Sequence, residues 1–251
     1  MAKTLTNFYA NFASKSKRNF TLKGWLIAAA VFVLLVVVVI SAVVKNSPIK
    51  NYKAKTFYFV YANSFNNHSA ASDCADKVAS RGGAGVIYSV GSTMFVVTSV
   101  YTSQAEADAV AEQIKSAFAT AGVLKVSSKS LPKNLSKVVH QTPACRDYFK
   151  LIKNFSEDLL NWINLYSTSQ IDVNKLYKNV MQVKQNVANL SDSLKDINTD
   201  CSKTMYASTL VLSSQISNFF SLAFAGNDTA KYCHKLSVNV AIEFIDMCSL
   251  F

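Results

Sequence analysis

The fold is decided by three segments, TFYFVYANSF at residues 56–65, VIYSV at 86–90 and TMFVVTSVY at 93–101. Each segment is rich in aromatic and β-branched residues and is bounded by turn-forming residues, which predicts a β-strand. A Gly-Ser pair separates the second strand from the third and suits a hairpin turn. The segment VLKVS at 123–127 predicts a fourth strand.

Two helices are predicted among these strands. Residues 67–80 carry apolar residues on one side, and the sequence GGAG that follows them is a stop and turn signal. Residues 103–121 predict a second helix, because Ser103 and Glu106 have the spacing of a capping box and the next glycine marks its end. The order β-α-β-β-α-β predicts a small split α/β domain at residues 56–130.

Strand alternation divides the side chains of the sheet between two faces. One face is predicted to carry small residues, including Val60, Ala62, Val96 and Thr98, which suit packing under the helices. The other face carries aromatic rings and short polar groups, which suit stacking on a sugar ring or another planar ligand. We predict a binding surface there, formed by Phe59, Tyr61, Asn63, Ser64, Phe65, Tyr88, Phe95, Val97 and Ser99. The alternative is that the C-terminal helices lie over this face and bury it.

The pattern becomes helical from residue 131 onwards. Thr142 and Pro143 form an N-cap and N1 pair, and residues 173–197 carry apolar residues at alternating three- and four-residue spacing. Two further helices follow, with Asp228 as the N-cap of the last. Four amphipathic helices with short connections predict an antiparallel, up-and-down bundle. The alternative is that the apolar seam of the second helix serves self-association.

The N-terminal region contains 21 consecutive residues, GWLIAAAVFVLLVVVVISAVV at 24–44, of which only one serine is clearly polar. This length predicts one transmembrane helix, because about 20 apolar residues cross a bilayer. A secretory signal has a shorter apolar region, and a buried core helix is the other alternative. The short basic segment before the span favours a cytoplasmic tail at residues 1–23 and an extracytoplasmic location for the rest of the chain. Residues 45–55 are predicted to be a linker.

The chain is therefore predicted to be an α+β protein of the cell membrane. A single N-terminal transmembrane helix precedes the βαββαβ domain, and a helical bundle follows at residues 131–251. Residues 1–50 hold seven Lys and Arg residues and no acid, so they supply most of the net charge of +11. This distribution favours attraction to anionic lipid headgroups and argues against nucleic acid as a partner.

No catalytic or metal-binding pattern is apparent in the sequence. The three histidines are far apart, and no GxSxG, HExxH or phosphate-binding loop occurs. We therefore predict a protein that is not an enzyme and has no catalytic residues, metal or cofactor. The five cysteines include no CxxC pair, and two states remain open for them, namely disulfides or small buried thiols.

Residues 56–128 resemble the SPOR domain, the sporulation-related repeat of bacterial envelope proteins. The segment FVYANSF at 59–65 is similar to the family's first-strand corner V-Q-x-G-S-F. The segment MFVVTSVY at 94–101 stands in place of Y-R-V-R-V-G-P-F, and SQAEA at 103–107 in place of S-R-x-E-A. The family's βαββαβ order, internal pseudo-repeat and position behind a single transmembrane anchor also match.

This resemblance implies a module that binds peptidoglycan glycan strands lacking stem peptides, at division or sporulation septa. The chain departs from the family pattern at several sheet positions. Asn63 and Ser99 replace the corner glycines, Tyr61 replaces the strand glutamine, and Phe95 and Val97 replace arginines. Fewer polar groups are therefore available to read sugar hydroxyls.

Three functions follow from the sequence. The leading one is a non-catalytic envelope protein that binds peptidoglycan through the sheet, with the bundle recruiting a protein partner. The second is a structural scaffold that uses both the SPOR-like domain and the bundle for protein–protein interaction. The third is an envelope hydrolase, which would require a cleft with two carboxylates.

Overall fold

The computed structural model describes residues 54–130, 142–225 and 228–249, and all of them belong to one compact unit. The predicted tail, the predicted span and almost all of the predicted linker lie outside these residues. Among the helices that are described, none is long and apolar enough to cross a membrane. The transmembrane anchor therefore stays a prediction.

The four predicted strands form one antiparallel sheet in the order β2-β3-β1-β4. Their bounds are Thr56–Phe65 for β1, Val86–Val90 for β2, Thr93–Tyr101 for β3 and Gly122–Ser127 for β4. The first three agree with the prediction from the aromatic and β-branched segments. β1 lies between β3 and β4, so it forms the centre of the sheet with β3.

Helices α1 (His68–Ser80) and α2 (Gln104–Ile114) cover one face of this sheet. The small side chains predicted for this face allow the two helices to pack close to the sheet. Ala62 and Val96 pack under α1, and Val60 packs under α2. Ser103 caps α2 by accepting a hydrogen bond from the backbone N–H of Glu106 at 3.5 Å, which confirms the predicted N-cap.

The second helix is shorter than predicted, because it ends at Ile114. Beyond it the chain turns back, and Phe118 packs against the small-residue core under α1. The Thr120 hydroxyl donates to the Ala62 carbonyl at 3.1 Å. These contacts bring the chain to the edge of β1, so Gly122 begins β4 instead of ending a helix.

The C-terminal region contains α3 (Pro143–Ser167), α4 (Val173–Lys195), α5 (Asp200–Ala225) and α6 (Thr229–Ser249). Each helix packs on the next, and α6 also packs on α3, so the four form a closed ring. The Asp228 carboxylate accepts from the backbone N–H of Lys231 at 3.1 Å, as expected of the predicted N-cap.

The apolar seam of α4 is buried inside this bundle. Leu176, Val180 and Val187 belong to a core shared with residues of α3, α5 and α6, and none of the three is exposed. The seam is thus used within the chain, as favoured over self-association. All five cysteines, at positions 74, 145, 201, 233 and 248, are buried thiols.

Candidate functional site on the sheet

The sheet face that points away from α1 and α2, here called the outer face, collects aromatic side chains from three strands. The rings of Tyr61 and Phe95 meet edge to face at 5.1 Å between centroids, and the ring of Phe59 lies 5.2 Å from that of Tyr88. Phe95 is paired with Tyr88, and Val97 with Tyr61. The structure therefore brings these five predicted residues together on one face.

The register between β1 and β3 shifts on either side of Tyr61, which marks two β-bulges. A bulge inserts one residue and thereby resets the alternation of the side chains beyond it. Ser64 pairs with Phe95 and faces outward, whereas Phe65 packs into the core under α1. The prediction that Phe65 lies on the outer face is therefore wrong. Asn63 lies at the bulge, and its Oδ1 accepts from the backbone N–H of Ser64 at 2.7 Å.

The other bulge changes the C-terminal half of β3. Ser99 is only 4% exposed and pairs with Val60, which packs under α2. The prediction that Ser99 lies on the outer face is wrong for the same reason as for Phe65. Val100, which the sequence analysis missed, pairs with Phe59 and takes that place.

Helix α6 lies across the outer face, over β3 and as far as β2. The ring of Phe244 meets that of Phe57 edge to face, with 5.9 Å between centroids. Phe59 and Val97 are 0% exposed as a result of this cover and of their neighbours in the sheet. For this half of the face, the structure shows the alternative in which the C-terminal helices bury it.

The other half of the outer face remains partly exposed and is here called the aromatic patch. It consists of Tyr61, Ser64, Tyr88 and Phe95, of which Ser64 is exposed and the three rings are half-buried. Gly122 lies opposite Tyr61 on β4, and a Cβ atom at Gly122 would come within 2.7 Å of the Tyr61 hydroxyl. The missing side chain is what allows the Tyr61 ring to lie across β4.

Lys55 joins the sheet to the bundle. Its ammonium lies 3.2 Å from the Glu157 carboxylate and 3.2 Å from the Ser156 hydroxyl of α3, and 4.8 Å from the centre of the Phe57 ring. Burial lowers the pKa of Lys55, and the Glu157 carboxylate partly offsets this effect. The Ser128 backbone N–H donates to the Lys55 carbonyl at 2.8 Å and the Lys55 backbone N–H donates to the Ser128 hydroxyl at 2.9 Å, which fixes the position of this lysine just before β1.

A cleft of about 590 Å³ opens between α2 and the bundle helices α3 and α6. Its lining includes Glu106 of α2, Glu157 and Asn161 of α3, and His234 of α6. An envelope hydrolase would need two carboxyl groups that face each other across a cleft. The Glu157 carboxylate is instead engaged in the ion pair with Lys55 at 3.2 Å, which joins the sheet to the bundle.

Polar groups are also buried between α3, α5 and α6. The hydroxyls of Tyr148 and Ser208 lie 2.6 Å apart, and Ser208 donates to the Glu243 carboxylate. Burial raises the pKa of Glu243, and the Ser208 hydrogen bond only partly offsets this effect. Burial likewise raises the pKa of Asp246, one turn further along α6. The helix that covers the sheet therefore carries two carboxyls whose charged forms are disfavoured.

Replacement of Glu243 by glutamine is expected to stabilise the protein at about pH 8, because burial in the folded protein disfavours the charged carboxylate. Because the pKa of Glu243 is raised on folding, its favourable contribution is present below the ordinary value of 4.5 and is lost as the pH rises through the raised value. The advantage of E243Q should therefore vanish near pH 4 and grow with pH. Denaturant unfolding at both pH values measures it.

The exposed Glu112 offers a control, since E112Q removes the same charge from the surface of α2, where it forms an exposed ion pair with Lys115. Its effect on the free energy of unfolding should be small, because exposed ion pairs contribute little. An E243Q variant that is less stable than wild type at both pH values would show that the carboxylate is needed in its charged form.

Residues 54–125 match the family model described as the SPOR domain. The chain contains a SPOR domain. SPOR domains are generally peptidoglycan-binding domains of cell division proteins, and they are generally not catalytic. No curated protein and no solved structure matches the chain. Within the described ranges, no group of His, Cys, Asp and Glu residues could hold a metal ion.

The SPOR match begins just before β1 and ends within β4, so it includes residues of all four strands. Two residues of the outer face, Phe57 and Val100, were not predicted from the sequence. Phe57 follows from simple alternation with Phe59 and Tyr61. Val100 could not be found in this way, because a bulge separates it from the rest of β3.

Proposed function

We propose that this protein is a non-catalytic, membrane-anchored protein of the cell envelope whose SPOR domain binds peptidoglycan glycan strands, in cell division or sporulation. The observation that carries this proposal is the SPOR match over residues 54–125. The partly exposed rings of the aromatic patch support it, because aromatic faces stack on the apolar faces of sugar rings.

The proposal includes the anchor and the location. Residues 24–44 span the membrane once, the N-terminus is cytoplasmic and the bulk of the chain is extracytoplasmic. The linker at residues 45–55 would reach only about 40 Å even if it were fully extended. The SPOR domain would therefore act on a polymer that lies close to the membrane surface, as the cell wall does.

Binding to purified cell-wall sacculi tests the function. The full chain, kept in solution with mild detergent, is expected to sediment with sacculi. The variants Tyr61→Ala and Phe95→Ala should each weaken the affinity for sacculi by roughly fivefold or more, because stacking on one ring is worth about 1 kcal/mol or more.

Phe224→Ala is the matched control, because Phe224 is a 69% exposed ring on the bundle, away from the sheet. It should bind sacculi as the wild type does. Absence of sedimentation with the wild type, or equal binding by Y61A, F95A and the wild type, would contradict the proposal.

A second candidate function is a scaffold that acts through protein–protein contacts, and two observations favour it. Half of the outer face is already covered by α6, and α5 exposes Leu210, Val211, Leu222 and Phe224 by 41% to 69%. Light scattering on the full chain distinguishes the two. A protein that is monomeric within its detergent micelle and binds sacculi supports the first function, whereas an oligomer without sacculus binding supports the second.

A further inference from the structure

Helix α6 belongs to two packed layers at the same time. Cys233, Leu236 and Val240 are part of the bundle core, which they share with α3, α4 and α5. Phe244, further along the same helix, contacts Phe57 on the outer face of the sheet. Since the four helices share one core, α6 can leave the sheet only when the bundle moves as a body.

The contact between the bundle and the sheet is partly polar. It includes the ion pair of Lys55 with Glu157 at 3.2 Å. It also brings the Asp246 carboxylate near Tyr88, whose pKa is raised by burial and, to a smaller extent, by this negative charge. Charged groups that are half-buried contribute less to such a contact than apolar groups of the same size. Interfaces of this kind within a chain resemble transient protein–protein interfaces and allow the parts to move.

The covered part of the outer face is slightly longer than the accessible part. With a rise of about 3.3 Å per residue, the outer face measures about 23 Å along β1 between Phe57 and Ser64. Only the part from Tyr61 to Ser64, about 10 Å long, belongs to the aromatic patch. A polymer that follows the strands would meet α6 beyond Tyr61, and it could use the remaining length only if α6 were displaced.

We propose that α6 is an internal competitor for the glycan strand, so that the bundle closes half of the SPOR sheet and its release opens the full face to the polymer. This inference rests on the proposed function. A glycan strand binds the open arrangement over a longer surface and thereby shifts the population towards it. By the same linkage, a protein partner that draws the bundle away from the sheet strengthens glycan binding.

The ion pair at the junction allows the contact to be weakened without disturbing either core. Glu157→Lys places a second ammonium beside Lys55, and because Glu157 is 48% exposed the bundle should still fold. The double variant K55E/E157K restores an ion pair with its charges exchanged. Asp192→Lys makes an equal change in net charge on the exposed face of α4 and serves as the control for non-specific attraction to sacculi.

We expect E157K to bind sacculi roughly three- to tenfold more tightly than the wild type, because like charges at the junction favour the open arrangement. The double variant should return to the wild-type value, and D192K should not differ from it. The additional substitution Val97→Cys, at a position that is 0% exposed, reports the opening directly. Its rate of modification by a thiol reagent should rise with E157K, while the native buried thiols provide a low background.

The outcomes separate this inference from the proposed function. If the wild type binds sacculi and E157K exposes the cysteine at position 97 without tighter binding, α6 does not compete with the glycan and the inference is wrong. If E157K and D192K increase binding equally, the effect is one of net charge, which also contradicts it. If no variant binds sacculi, the proposed function fails and this inference fails with it.

Discussion

The Phe244→Ala variant should lose about 3–5 kcal/mol of unfolding free energy, the range typical of a buried phenylalanine. Phe244 is 0% exposed and lies where α6 meets both the bundle and the Phe57 ring of the sheet. Its removal leaves a cavity at the junction that rigid neighbours on two layers can fill only in part. Chemical denaturation followed by circular dichroism gives the free energy.

Phe224→Ala is the matched control, because it removes the same side chain from α5, where the ring is 69% exposed. Phe224 keeps contacts with Tyr177 and Phe220, so a loss of up to about 1 kcal/mol is expected. Equal losses for the two variants would contradict the packing of α6 on the sheet. A loss below about 1 kcal/mol for F244A would do the same.

The strands could be predicted from the sequence almost to the residue. The bounds of β1, β2 and β3 coincide with runs rich in aromatic and β-branched residues, and glycines or polar residues flank each run. In such runs, local preference and burial point to the same structure. The helix caps Ser103 and Asp228 were predictable for a similar reason, because a cap depends on a few neighbouring residues.

The facing of the side chains was predictable only as far as the first bulge. A bulge adds one residue to one strand, and no residue type in β1 or β3 indicates where the bulge occurs. Phe65 and Ser99, which follow the bulges of their own strands, were therefore assigned to the wrong face, while Tyr61 and Phe95, which precede those bulges, were assigned correctly. Predictions that rest on alternation are accurate only where the register is continuous.

The sequence could not predict whether the C-terminal helices lie over the outer face, because this contact joins segments that are far apart in the chain. The apolar stripe of α6 is continuous, and its periodicity does not distinguish the part that enters the bundle core from the part that contacts the sheet. Both alternatives for the outer face were therefore consistent with the sequence. In the structure each describes one half, with Phe59 buried and Tyr61 partly exposed.

The end of α2 was mispredicted for a related reason. Residues beyond Ile114 have good helix propensity, but Phe118 and Thr120 gain tertiary contacts with the neighbourhood of Ala62 when the chain turns there. Propensity differences of a few tenths of a kcal/mol per residue are readily outweighed by such burial.

The Gly85→Ala variant is expected to lose about 2–5 kcal/mol of unfolding free energy, since two penalties act together. Gly85 has φ +60°, a conformation that side chains with a Cβ atom disfavour. A Cβ atom at this position would also lie 2.6 Å from the Ala75 carbonyl oxygen and 3.0 Å from the Ala79 Cβ. Both contacts are on α1, so the start of β2 would have to move away from that helix.

Gly91→Ala separates the two penalties, because Gly91 has the same φ of +60° but nothing within 4 Å of the added atom. We expect G91A to lose only about 1 kcal/mol, so the difference between the variants measures the packing of β2 on α1. Similar losses for both would show that α1 yields easily. If β2 is displaced in G85A as expected, Tyr88 moves with it, and sacculus binding should fall in G85A and persist in G91A.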